Sequence, residues 1–180
     1  MSKIGKKNIT IPKESSVKIE GANLTITGPK GSKVLTINDK IFSSKLNENE
    51  FQILPLNKKV DKKTSIMWGT YRSLINNAIK GVSIGHEKIL ELNGVGFRAN
   101  IKGENLSLQI GFSHDVNFKI PKDIKITVEK QTTIKINGVD KDLVAKIAAD
   151  IKSLKPVEPY KAKGIKEKGQ FVLRKEGKKK

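Results

Sequence analysis

The chain has 180 residues, 36 Lys or Arg against 18 Asp or Glu, a net charge of +18 and 36% hydrophobic content with only 5% aromatics. That length leaves room for one domain or two small ones around a thin, aliphatic core, and the charge calls for an anionic partner, of which nucleic acid is the most abundant in a cell. The absence of Cys excludes a disulfide framework, a thiolate zinc site and a Cys nucleophile, and no stretch approaches the roughly 20 apolar residues that a membrane-spanning helix needs.

Lys3, Lys6 and Lys7 open the chain without an apolar run behind them, so no secretory signal is expected. A soluble cytoplasmic protein is the expectation, with an organelle location left open. Strand signals come next. They cover 17–19, then an alternating strand entered through the Gly21-Ala22-Asn23 turn, then 34–37 and 51–56, with a turn at Gly28-Pro29-Lys30-Gly31. The period then changes to 3.6: Met67, Tyr71, Leu74, Ile75, Ala78 and Ile79 share one helical face. Thr64 or Ser65 is the expected cap and Gly81 the expected end.

The pattern restarts after Val82. Strands are predicted over 89–92, 97–101, 106–110, 116–120, 124–128 and 133–137, with a turn at Lys102-Gly103-Glu104-Asn105. A second helix carries Leu143, Val144, Ile147, Ala148, Ile151 and Leu154 on one face. Asp140 and Asp142 suit its positive end, Lys152 and Lys155 its negative end, and Pro156 stops it. The two halves match in kind at an offset of about 80 residues, beginning with Gly21-Ala22-Asn23-Leu24 against Gly103-Glu104-Asn105-Leu106. The expected fold is α+β: a tandem duplication of two similar small domains, each an antiparallel or mixed β-sheet packed on one α-helix, with a basic C-terminal extension. The expected domains are 1–81 and 82–155, with 156–180 as an extension belonging to the second.

Charge is concentrated at the end. Residues 152–180 carry eleven Lys or Arg against three Glu, a net of +8, whereas 82–151 carry ten against nine. Within Lys155-Pro156-Val157-Glu158-Pro159-Tyr160-Lys161-Ala162-Lys163-Gly164-Ile165-Lys166, two prolines favour an extended backbone. Lys161 and Lys163, two apart, are expected on one side of it. Phe171-Val172-Leu173 reads as a short returning strand, and Arg174 to Lys180 as a flexible cationic tip.

Catalytic constellations are not evident. Gly94-Val95-Gly96-Phe97-Arg98-Ala99 fits the spacing of a dinucleotide-binding turn, but strand periodicity follows it where that motif requires a helix, so it reads as a turn or bulge with Phe97 in the core. His114-Asp115 lacks a nucleophile or a second His and reads as a surface turn. Trp68 and Tyr71 read as core. Arg98, one of three Arg residues, is suited to phosphate or to a carboxylate partner. No cofactor, metal or small-molecule substrate is expected, and the Lys residues lie mainly in extended segments rather than on a cationic amphipathic helix for a membrane. Another RNA-binding or nucleoid-type basic protein, and a nucleotide-cofactor enzyme using the Gly94–Gly96 turn, are the competing classes.

The arm from Pro156 to Ile165 resembles the C-terminal signature of the bacterial-type large-subunit ribosomal protein L-six family. Further similar stretches are Ser2-Lys3-Ile4-Gly5-Lys6 with Ile11-Pro12, the Gly28-Pro29-Lys30-Gly31 turn, Gly69-Thr70-Tyr71-Arg72-Ser73-Leu74-Ile75-Asn76-Asn77, and Leu92-Asn93-Gly94-Val95-Gly96-Phe97-Arg98-Ala99. Ala162 stands where that family usually has Gly, and Lys166-Glu167 where an Arg and an aromatic are common. The resemblance implies a duplicated α+β fold, a place in the large ribosomal subunit and no catalysis. It also implies binding of 23S rRNA near the sarcin–ricin loop and the factor-binding region at the stalk base, beside neighbouring ribosomal proteins. By resemblance, RNA contact falls to Pro159, Tyr160, Lys161, Lys163, Gly164 and Lys166, then to Arg174, Lys175 and Gly177. Arg98, Lys178 and Lys179 are further candidate contacts.

Overall fold

The computed structural model describes residues 2–47, 49–57 and 60–177. The chain divides into two compact units. The first runs to Gly85 and takes in Val139–Lys141; the second holds His86–Gly138 and continues from Asp142.

The first unit contains β1 (Ile9–Thr10), β2 (Ser16–Glu20), β3 (Asn23–Gly28), β4 (Gly31–Thr36), β5 (Phe42–Asn47), β6 (Glu50–Pro55) and α1 (Lys62–Ser83). They form two antiparallel sheets, ordered β2-β3-β4 and β1-β6-β5. Alternation decides which faces are buried: Leu24 and Ile26 on β3, and Phe51 and Ile53 on β6, point into one core. α1 adds Trp68, Ile75, Ala78, Ile79 and Val82 to it. The indole N–H of Trp68 donates to the Ile53 carbonyl at 2.8 Å, which satisfies a buried donor. Leu74, expected on the inner face, lies on the solvent side instead.

Helix α1 begins and ends differently from expectation. Asp61 stands at its N-terminal boundary without a side-chain capping bond, and Thr64 and Ser65 lie inside the first turn. Gly81 is buried within the helix, which continues through Ser83. The terminating glycine is Gly85: its φ is 90°, and its N–H reaches back to the Lys80 carbonyl at 3.1 Å.

The second unit contains β7 (His86–Asn93), β8 (Arg98–Lys102), β9 (Asn105–Gln109), β10 (Val116–Lys119), β11 (Ile124–Glu129), β12 (Thr133–Gly138), α2 (Lys141–Leu154) and β13 (Gly164–Glu167). Its sheets are ordered β10-β9-β8 and β11-β12-β7-β13, all antiparallel. Val144, Ile147, Ala148 and Ile151 of α2 are buried, as the period-3.6 pattern requires. Leu90, Leu106, Leu108, Ile134 and Ile136 meet them from the strands.

The duplication is visible in the pairing. The set β2-β3-β4 has its counterpart in β8-β9-β10, and β1-β6-β5 in β7-β12-β11. The second unit differs by one added strand, β13, on the free side of β7. An unpaired edge is a row of open N–H and C=O groups, and here the chain's own C-terminal arm covers it.

Candidate nucleic-acid interface

The basic extension is anchored by β13. The pairing sets Ile165 opposite Leu92 and Lys166 opposite Glu91. Ile165 is 0% exposed and belongs to the core of the second unit, a burial worth roughly 2 kcal/mol. Bonds outside the ladder extend the attachment: the Ile165 N–H donates to the Lys155 carbonyl at 3.0 Å, and the Lys168 N–H to the Ile89 carbonyl at 2.9 Å.

Between α2 and β13 the chain makes a turn where an extended path was expected. The Glu158 N–H donates to the Lys163 carbonyl at 2.8 Å, and the Ala162 N–H to the Glu158 carbonyl at 3.0 Å. Two residues have positive φ, Ala162 at 55° and Gly164 at 140°. A Cβ on Gly164 would lie 2.6 Å from the Pro156 carbonyl oxygen and 2.7 Å from the Val157 Cα. The close approach at Gly164 is therefore to its own chain, and glycine is what lets the turn close. Pro159, Tyr160, Lys161 and Lys163 are exposed on this turn, with Tyr160 at 53%.

Beyond β13 the chain turns at Gly169, whose φ is 80°. Residues 171–173 form no strand, contrary to expectation. Phe171 and Leu173 are exposed, and residues 170–173 border a groove with Ala149, Lys152 and Pro156 at the end of α2 instead of adding to the core. The Lys175 N–H returns to the Pro159 carbonyl at 2.9 Å, which brings Arg174, Lys175 and Gly177 beside the turn. Lys178 and Lys179 lie outside the described residues.

The predicted cations are not equivalent. Lys166 is half-buried, and its Nζ lies 3.1 Å from Glu91 Oε2. Glu167 receives the ammonium of Lys88 at 2.7 Å and that of Lys152 at 3.4 Å. The hydrogen bond from Lys88 holds the Glu167 carboxyl below its ordinary range; partial burial opposes this, and Lys152 adds to it. The pairs with Lys88 and Glu91 tie β13 to β7, the pair with Lys152 ties it to α2, and sequence reasoning missed all three as its anchors. The only local signal was the Lys166-Glu167 alternation, which identifies no partners until the register is known. Lys161 and Lys163 are exposed and form no ion pair among the described residues. Arg98 is exposed at the start of β8, likewise without a carboxylate partner among the described residues.

The Gly94–Gly96 segment opens no helix. Gly96 has φ 79°, and a Cβ on Gly94 would lie 2.9 Å from the Phe97 ring. The segment is a turn from β7 into β8 that seats Phe97 in the core. Among the described residues there is no cluster of three potential metal ligands, and no helix is long and apolar enough to cross a membrane.

A doubled α+β scaffold with a cationic arm fastened to its second half has the form of a nucleic-acid-associated structural protein. Comparison with known families makes this specific. The chain matches the family described as Ribosomal protein L6 over residues 11–85 and again over 93–168, one match in each unit. It is 45% identical over 180 residues, the whole of both chains, to the large ribosomal subunit protein uL6 of Novosphingobium aromaticivorans. It is 47% identical over 179 residues, 99% of this chain and 98% of the relative, to that of Staphylococcus carnosus. It is also 43% identical over the full 180 residues to that of Sphingopyxis alaskensis. The chain belongs to the ribosomal protein L6 family and is a structural constituent of the large ribosomal subunit, not an enzyme.

Proposed function

We propose that the chain binds 23S rRNA through the C-terminal arm of its second unit. The site lies near the sarcin–ricin loop and the factor-binding region at the stalk base, beside neighbouring large-subunit proteins. One observation carries the reading: the exposed Pro159-Tyr160-Lys161 turn and Lys163 are presented by a chain segment locked into the sheet at Ile165. A cation held on a rigid turn loses less conformational entropy on meeting a phosphate than one on a loose tail. Lys161 and Lys163 neutralise phosphates, and Pro159 and Tyr160 set the path of the RNA backbone. Arg174, Lys175 and Gly177 continue the surface, with Arg98 as a further contact. Lys166, already facing Glu91, contributes less, and Gly164 acts by shaping the turn.

Each phosphate contact releases condensed counterions and adds about 0.9 to the slope of log affinity against log salt. The Lys161→Ala/Lys163→Ala double variant is therefore expected to lower that slope for 23S rRNA by about two units. An unaltered slope removes both lysines from the interface.

A further inference from the structure

We infer that the loop joining β9 to β10 presents Phe112 and His114 as a stacking platform for an unpaired base of the bound RNA, with the exposed Lys163 meeting an adjacent phosphate. This rests on the reading given under Proposed function and adds residues to it.

The loop is built to hold an aromatic ring outside the core. Ile110 is buried, Gly111 turns the chain with φ 81°, and Phe112 follows at 47% exposure. His114 is also exposed. The two rings are nearly parallel, with an interplanar angle of 16° and centroids 6.1 Å apart. The ammonium of Lys155 lies 4.6 Å from the centre of the Phe112 ring, a cation–π contact that ties the loop to the end of α2. A ring already held by two neighbours pays little rotamer entropy when a base stacks on it.

The surroundings suit a nucleotide. A groove of about 460 Å³, whose lining includes Gly111, Lys155, Glu158 and Lys163 but neither Phe112 nor His114, runs from the base of the loop to the cationic turn. An aromatic face beside phosphate-seeking lysines is how proteins hold unstacked bases, whatever their sequence. The competing occupant, an acidic face of a neighbouring protein, would use the lysines and bury the rings by packing, but would not require the Phe112 ring to be aromatic in binding free rRNA.

Stacking and charge neutralisation leave different traces, because stacking releases no counterions. Phe112→Leu keeps an apolar side chain at a half-exposed position, and an unshifted thermal transition verifies the fold. The variant is expected to bind 23S rRNA between about fivefold and a hundredfold more weakly, at an unchanged salt slope. Phe112→Tyr is expected to retain affinity. On a fully paired RNA duplex, which offers no free base, Phe112→Leu is expected to match the unmodified chain. If the chain binds 23S rRNA and Phe112→Leu binds it equally well, the platform is refuted while the lysine interface stands. If free-rRNA affinity is kept and only co-sedimentation with large subunits declines, the loop faces a protein and the inference fails. If the unmodified chain shows no affinity for 23S rRNA, both readings fall together.

Discussion

Gly164→Ala is the most direct probe of how the arm is held. The native φ of 140° lies where an L side chain is rarely found, at a cost of about 1–3 kcal/mol. The added methyl would also meet backbone, 2.6 Å from the Pro156 oxygen, 2.7 Å from the Val157 Cα and 2.9 Å from the Pro156 carbon. None of these can swing aside like the end of a flexible side chain, so overpacking adds about 1–3 kcal/mol. The sum has a ceiling. Once strain exceeds what β13 contributes through Ile165 and its ladder, the strand detaches from β7. A loss of about 3 kcal/mol is expected, which lowers the melting temperature of a domain this size by roughly 10 to 25 °C. Far-UV circular dichroism and amide exchange on β7 and β13 measure it. Trp68, the only tryptophan, lies in the core of the first unit, so its fluorescence reports that unit and is expected to change little. Gly169→Ala is the control: φ is 80° there, but nothing lies within 4 Å of the added Cβ, so only the conformational cost of about 1 kcal/mol applies. Equal, small shifts for the two variants would show that the Pro156–Gly164 packing is not what secures the arm.

Two further outcomes follow from the same geometry. Glu167 has a lowered carboxyl value when folded, so its contribution is fully present above its ordinary value of about 4.5 and is lost as pH falls through the folded value. Amide protection of β13 is expected to weaken on acidification below about pH 4.5, and Glu167→Gln is expected to flatten that dependence; an identical profile for the two chains assigns the acid sensitivity elsewhere. Trp68→Phe retains much of the aromatic bulk but leaves the Ile53 carbonyl without its indole donor, at a cost of about 1–3 kcal/mol in chemical denaturation, and no loss would place the hydrogen bond outside the stability of the first unit.

Much of the architecture follows from local rules. The faces of both helices are legible because apolar residues recur every three to four positions, and tertiary packing has only to accept them. Val144, Ile147, Ala148 and Ile151 are buried as that rule requires. The turn at 102–105 and the strand pairs around it follow from glycine and alternation alone. The two halves are recognisable because the same strand and turn pattern occurs twice, and each half matches the same family separately. The cations of the arm are legible for a simpler reason: a charge needs no partner to be read.

What remained hidden depended on partners far away in the chain. β13 has one fully buried apolar side chain, Ile165, in a run otherwise rich in lysine, and local propensity does not mark it as a strand. The open side of β7 creates it by supplying backbone donors, a place beside Leu92 and carboxylate and ammonium partners for Lys166 and Glu167. Phe171-Val172-Leu173 looked more strand-like and is none, because hydrophobicity makes a strand only where an edge and a core are available. Composition and periodicity thus determined that there are two α+β units and a cationic end. Only the folded second sheet decided which part of that end is pinned, and so which lysines are left facing solvent.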